Sequence, residues 1–132
     1  MSKASAQLNS SEITTGITFG FFGPLGATAI VAGQLNKIGS MVFLEIEALA
    51  AAAGGASFMA TATAAIPAAF RPSATLSIPL AVTSNSATLA APGSLEIQSG
   101  GDILIYATLT KLVAFSGSGN NGWSRISTSY HL

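Results

Sequence analysis

The sequence predicts an all-β domain of the sandwich or barrel type, on three observations. Apolar and polar residues alternate with a period of two in several segments, as they do in strands that bury one face. Runs rich in Gly, Pro, Asn and Ser separate these segments, as turns do. Strands this short and closely spaced favour a sandwich or barrel over a βαβ fold, and a length of 132 residues fits one domain.

The polar start of the chain differs from the alternating part that follows it. Residues 1–12 lack any period, so we predict a flexible segment or the end of a shaft there, and a β-sandwich over residues 13–132. Within the sandwich, the residues that share one strand face are, in chain order, Ile13, Thr15, Ile17, Phe19 and Phe21; Val42, Leu44 and Ile46; Leu76, Ile78, Leu80 and Val82; Ile103, Ile105, Ala107 and Leu109; and Ile126, Thr128, Tyr130 and Leu132.

The segment "LEIEALAAAA" at 44–53 has a composition that favours helix, although Val42, Leu44 and Ile46 alternate before the alanines begin. We predict a strand, with a helical turn around 48–53 left open. The opposite face of this strand begins apolar and ends with Glu45 and Glu47. A subunit boundary that crosses the strand would produce this pattern, and so would simple variation along an exposed face.

The charge content excludes several classes of partner. Charged residues make up 8% of the chain and the formal net charge is zero, so nothing steers it towards nucleic acid or an anionic membrane. So few charges fit a small apolar enzyme or, preferably, a subunit that buries much of its surface against copies of itself. The N-terminus has no apolar signal-peptide region, and no run is long enough for membrane insertion.

A search for catalytic or metal-binding residues finds little. The chain has no cysteine and its one histidine is His131, so neither a catalytic triad nor a zinc site is predicted, and no cofactor is implied. Glu45 and Glu47 lie about 7 Å apart on one strand face and could in principle serve glycoside hydrolysis. We favour two solvated charges instead, and predict that the chain is not an enzyme.

The run "GSGNNG" at 117–122 is predicted to be a long flexible hairpin loop. Asn120, Asn121 and Trp123 are candidate receptor-binding residues, because Trp stacks on saccharide faces and Asn both donates and accepts hydrogen bonds. The favoured alternative is that Trp123 packs at the edge of the sandwich and that the asparagines simply turn the chain.

Four motifs occur in a characteristic order: "KIGSMVFLEI" at 37–46, "IPAAFRPS" at 66–73, "GSLEIQSGGDILIYA" at 93–107 and "GWSRISTSYHL" at 122–132. Together they resemble the C-terminal head domains of trimeric viral and phage fibres. The resemblance implies a jelly-roll β-sandwich of the tumour-necrosis-factor or C1q-like type, assembled as a homotrimer. It also implies a place at the fibre tip on the virion surface, where such heads bind a host receptor, often a glycan. Bacteriophages and virophages carry heads of this kind.

The unit "IPAAFRP" is predicted to be a structural corner made by Phe70, Arg71 and Pro72. Pro67 and Pro72 cannot donate to a ladder, so they belong at strand ends or at an edge. Pro72 also biases Arg71 towards an extended conformation, which leaves Phe70 to anchor the turn in the sandwich. Arg71 would then point to solvent or pair with a carboxylate.

In such a trimer, aromatic residues supply candidate contacts between subunits. We predict a trimer interface that includes Phe43, Tyr106 and Tyr130, because tyrosine brings an apolar ring with a polar tip to a surface. Phe19 and Phe21 fit the core and the interface equally well from alternation alone.

The function predicted from sequence is attachment of a virion to a host receptor by a trimeric fibre head. The first alternative is a purely structural minor capsid or decoration protein without receptor binding. A secreted C1q-like module is disfavoured by the absence of a signal peptide, and a glycoside-cleaving spike is disfavoured by the absence of a convincing carboxylate pair.

Overall fold

The computed structural model describes residues 12–22, 29–52, 58–61, 65–116 and 118–132, and the regular secondary structure of these residues is almost entirely β-strand. The regular element that is not a strand is a short 3-10 helix at Ala68–Phe70. The strands are β1 Glu12–Phe22, β2 Ala29–Ile38, β3 Met41–Ile46, β4 Leu49–Ala52, β5 Phe58–Thr61, β6 Leu76–Leu80, β7 Val82–Ser84, β8 Ala87–Thr88, β9 Gly93–Ile97, β10 Ile103–Tyr106, β11 Asn120–Trp123 and β12 Ile126–His131.

The strands form two antiparallel sheets. The larger sheet has eight strands in the order β12-β3-β2-β1-β5-β10-β9-β6, and the smaller has four in the order β4-β11-β7-β8. Strands β1, β2 and β3 follow one another as a meander, and the chain then crosses between the sheets several times. This arrangement confirms the all-β, sandwich-type fold class that the sequence predicts.

The core lies between the two sheets and is filled by the predicted strand faces. On β3, Val42, Leu44 and Ile46 are fully buried, whereas Phe43 between them is 40% exposed. Phe19 and Phe21, which alternation left undecided, are core residues. The alternation fails at Leu109, because β10 ends at Tyr106 and the chain turns away from the sheet.

A tryptophan and a phenylalanine join the two sheets. Trp123 belongs to the small sheet and Phe21 to the large one, and their ring centroids lie 4.6 Å apart with the ring planes inclined at 59°. The indole Nε1 of Trp123 donates a hydrogen bond of 3.0 Å to the carbonyl oxygen of Glu47. Trp123 is 2% exposed, so its apolar ring is buried while its single polar atom is paired.

Local backbone conformation in the turns decides where several strands end. The run "LNKIGS" at 35–40 has the composition of a turn but is mostly strand, because β2 continues to Ile38 and only Gly39 and Ser40 turn the chain. Gly39 has a φ of 60°, which glycine adopts without strain. Asn85 and Ser86 both have positive φ and form the two-residue turn of the β7–β8 hairpin.

Two sequence predictions about element boundaries have different outcomes. The strand prediction for 44–53 is correct over most of its length, since β3 and β4 cover it with a short break at Glu47 and Ala48, and residues 49–52 are not helical. The predicted flexible segment at 1–12 lies outside the described residues except for Glu12, which begins β1. That boundary stays a prediction.

Candidate functional site

The predicted receptor loop is partly a strand. Asn120, Asn121 and Gly122 belong to β11 and pair with β4, so the prediction of a flexible loop through these residues is wrong. The reason is a long-range one. This segment pairs with β4 on one side and β7 on the other, and that pairing makes a strand of residues whose composition is typical of turns.

Asn121 is fully buried and its side chain holds two loops together. Its Nδ2 donates to the carbonyl oxygen of Ser116 at 2.9 Å, and its Oδ1 accepts the backbone N–H of Asn85 at 3.2 Å. Trp123 is buried in the core, as described above. Of the three candidate receptor-binding residues, only Asn120 is exposed on this chain, so a direct contact from here would come from Asn120 and its exposed neighbours.

The unit at 66–72 forms a corner that leads into β6. Phe70 is buried at the end of the 3-10 helix, and Pro72 is buried behind it. The Nε of half-buried Arg71 donates to the carbonyl oxygen of Ile66 at 2.7 Å. Arg71 therefore links the end of the corner to its beginning through a backbone hydrogen bond, and no ion pair joins it to a carboxylate among the residues that the structure describes.

Tyr130, a predicted interface residue, is buried within its own chain. Its hydroxyl donates to the carbonyl oxygen of Phe70 at 2.5 Å and so ties β12 to the corner. Burial raises the pKa of Tyr130 to about 12, so the phenol is neutral over the whole physiological range.

The other two predicted interface residues face outward from the large sheet but are not neighbours. Phe43 lies on β3 and half-buried Tyr106 on β10, four strand positions apart in the sheet order. With strands about 4.8 Å apart, that separation is roughly 19 Å along the sheet. A single flat subunit interface centred on Phe43 would therefore have Tyr106 near its edge, and an interface centred on Tyr106 would have Phe43 near its edge.

An ion pair anchors the loop after β10. The Nζ of Lys111 contacts the Oε2 of Glu96 and lies 5.0 Å from the ring centroid of Tyr106. Burial works to raise the pKa of Glu96, but the hydrogen bonds from Lys111 and Gln98 outweigh burial, so the pKa lies below its ordinary value. The hydrogen bond to Glu96 raises the pKa of Lys111.

This anchored loop also presents apolar side chains to solvent. Lys111 adopts a positive φ of 63°, and the flanking residues Leu109, Leu112 and Val113 are exposed, with Leu112 at 86%. The ion pair with Glu96 holds the strained backbone at Lys111, while the apolar side chains of the same loop are exposed to solvent.

A shallow cleft of about 110 Å³ crosses β2 and β3 on the outer face of the large sheet, and it includes Glu45, Glu47 and Arg125. Glu45 is ion-paired with Arg125 at 3.0 Å. Because Arg125 already binds the Glu45 carboxylate, the cleft gives no support to the hydrolysis hypothesis. Within the described residues, no group of three or more His, Cys, Asp and Glu side chains could hold a metal ion.

A larger groove of about 440 Å³ separates β6 from β12, the two edge strands of the eight-stranded sheet. Leu76 and Ile78 of β6 line it together with Tyr130, and these side chains belong to the inward strand faces. The exposed residues that line it are Ser73, Ala74, Ser77, Ser129 and His131, and Pro72 completes the lining. The groove thus has an apolar floor and polar rims.

Sequence reasoning missed this groove because its two sides lie far apart in the chain. Nothing in the local pattern of either strand shows that both become edges of one sheet that approach each other. His131, the one histidine of the chain, is exposed and lies on the rim of the groove.

Comparison with known proteins establishes a likeness of fold. No protein-family model and no curated protein sequence matches the chain. The crystal structure of a reovirus attachment protein, sigma1, in complex with alpha-2,3-sialyllactose superposes with a TM-score of 0.54 at 13% sequence identity, over 92% of this chain and 66% of that one. The C-terminal receptor-binding domain of the avian reovirus fibre sigmaC superposes with a TM-score of 0.48 at 17% identity, over 91% and 78%.

This chain therefore has a fold found in a viral attachment protein, and it spans just under two thirds of the sigma1 chain to which it is similar. At this level of identity the likeness shows the fold alone. The tumour-necrosis-factor or C1q subtype, the trimer and the phage or virophage source stay predictions. No helix among the described residues is long and apolar enough to cross a membrane.

Proposed function

We propose that the chain is the head of a trimeric virion fibre and that it attaches the particle to a receptor on the host cell, such as a glycan. The observation that carries this proposal is the likeness in fold to the sigma1 attachment protein over 92% of the chain. The four ordered sequence motifs point independently to fibre heads. No catalytic arrangement competes with this function among the described residues.

The outer face of β2 and β3 is the best-supported surface for the trimer contact. Ile38 and Phe43 are exposed there although they are large and apolar, and they are diagonal neighbours across the β2–β3 pairing. Large apolar side chains that share one exposed face mark interaction sites. Charged residues are only 8% of the chain, which fits a subunit that covers such a face with its copies.

The test of attachment uses the soluble head as a competitor. Added in excess, it is expected to reduce binding of the parent particle to host cells in proportion to its concentration. A head that neither binds cells nor competes with particles would favour the alternative of a structural minor capsid or decoration protein.

The trimer is tested separately, by sedimentation at several protein concentrations. The wild-type head should sediment with the mass of three chains, and Phe43→Ser should shift it towards monomer because the substitution removes an apolar contact from the interface. Thr88→Ala, at an exposed position of the small sheet, is the matched control and should leave the mass unchanged. A wild-type head that stays monomeric at all concentrations would refute this assembly.

A further inference from the structure

The groove between β6 and β12 combines an apolar floor with polar rims, and a sugar ring likewise combines an apolar face with polar hydroxyl groups. Leu76, Ile78 and the buried ring of Tyr130 form an apolar floor, against which the C–H face of a pyranose can pack. Ser73 and Ser129 belong to the lining above it, and each carries a hydroxyl group. Hydroxyl groups both donate and accept, so they match the hydroxyls of a sugar in either direction.

The strand edges add backbone groups to these rims. Pro79 lies inside β6 and has no N–H, so its nitrogen must face the edge of β6 that is not paired with β9. By the alternation of an antiparallel ladder, the N–H and C=O of Ser77 face the same way. This edge of β6 borders the groove, and it therefore offers backbone hydrogen-bonding groups beside the serine hydroxyls.

The charge of the groove selects among sugars. Among the described residues, none of those that line it is Lys, Arg, Asp or Glu. The phenol of Tyr130 is neutral and already donates to Phe70. A carboxylate such as that of sialic acid would find no lysine or arginine partner among the lining residues, and removing it from water without one is costly. The groove thus favours uncharged sugar units.

The volume also fits a ligand of this size. Sites for small molecules are typically about 300 to 1,000 Å³, mostly apolar, with a few polar groups that set the orientation. The groove measures about 440 Å³, near the lower end of that range. It can hold a short terminal stretch of a glycan with one end open to solvent.

We propose that the groove between β6 and β12 is a binding site for a neutral saccharide of the host surface. The sugar packs its apolar face on Leu76 and Ile78 and bonds through its hydroxyls to Ser129, His131 and the edge of β6. This site rests on the proposed function of attachment and names the chemical class of the receptor. An extended peptide that pairs with the sheet edges is the competing occupant, but Pro79 interrupts the donors along β6 and makes it a poorer template.

The test uses an array of oligosaccharides that end in galactose, N-acetylglucosamine or fucose, beside their sialylated counterparts. The wild-type head should bind neutral members. Ser129→Leu, which fills the groove from its rim, should weaken that binding at least about tenfold, equivalent to about 1.4 kcal/mol. His131→Ala should weaken it as well and provides a second variant. Ser127→Leu is the matched control, because Ser127 is exposed on the same face of β12 but does not line the groove.

The possible outcomes separate the site from the function. If the wild-type head binds only sialylated members, or if Ser129→Leu and His131→Ala bind as well as wild type, the site is refuted while attachment stands. Ser129 pairs with Phe43 across β12 and β3, so a change of sedimenting mass in Ser129→Leu would be assigned to the trimer contact. In that case His131→Ala decides: if it binds neutral sugars as well as wild type, the saccharide proposal fails, and if it weakens binding at unchanged mass, the proposal stands. If the wild-type head competes with particles for cells but binds no array member, only the proposal about the ligand is refuted. A head that binds neither cells nor glycans overturns the proposed function together with this site.

Discussion

Gly122 offers a direct test of how closely β4 and β11 approach. A Cβ added at this position would lie 1.8 Å from the carbonyl oxygen of Leu49 and 3.1 Å from the Cα of Ala50. Ordinary contacts begin at 3.4 Å, so the two strands would have to separate by about 1.6 Å in Gly122→Ala. The obstacle is backbone, which cannot move aside as a flexible side chain does.

The cost follows from two opposing effects. Overpacking of this kind typically costs about 1 to 3 kcal/mol, and a backbone obstacle places Gly122→Ala near the upper end. Replacing glycine also restricts the unfolded chain, which returns about 0.4 to 1 kcal/mol. The expected net loss is about 2 kcal/mol in the free energy of unfolding, which lowers the urea midpoint by about 1 M for a domain of this size.

The assay is urea unfolding followed by tryptophan fluorescence at one fixed protein concentration. Trp123 is the only tryptophan of the chain and is buried next to Gly122, so its emission reports on this region. The matched control is Gly16→Ala on β1, where an added Cβ meets nothing within 4 Å. That variant should be as stable as wild type or slightly more stable. Equal midpoints for Gly122→Ala and wild type would refute the close approach of the two strands.

Two further predictions concern buried polar contacts. Tyr130→Phe removes the hydroxyl that bonds to the Phe70 carbonyl, and it should cost about 1 to 2 kcal/mol because that carbonyl loses its partner in a buried site; an unchanged urea midpoint would contradict this. Lys111→Met should cost about 1 kcal/mol at neutral pH, since it removes a partly buried ion pair with Glu96. The pKa of Glu96 is lowered by folding, so the contribution of the pair is present above the ordinary value of 4.5 and is lost as the pH falls through the folded-state pKa. Urea titrations at about pH 7 and about pH 3 should therefore show the gap between wild type and Lys111→Met closing at the acidic end, and a gap of constant size would count against the assignment.

Much of the fold is predictable because it depends on local polarity. A strand that buries one face must alternate, and Val42, Leu44 and Ile46 do so and are fully buried. The same pattern was ambiguous for Phe43, since a large apolar residue on the outer face is compatible with core, interface or exposure. Whether Phe43 is exposed depends on which elements pack against each face of the sheet. The residues next to Phe43 in the sequence do not reveal those elements.

The candidate sites were harder to predict, for a related reason. Asn121 and Trp123 have the residue types of a sugar-binding loop, yet β4 and β7 flank their strand and both side chains are buried. Asn and Trp serve equally well as ligand contacts and as paired core residues, and the neighbours that the fold supplies decide between these roles.

The order of residues is enough to predict an all-β chain, one apolar face per strand, and prolines at strand ends or edges at Pro67 and Pro72. These properties depend on side-chain polarity and on backbone dihedral preferences, which act between near neighbours. The folded arrangement was needed to show that β6 and β12 are the two edges of one sheet and that a groove separates them. The two strands lie at distant points in the chain, and every intervening strand pairing contributes to bringing Ile78 and His131 to opposite sides of that groove.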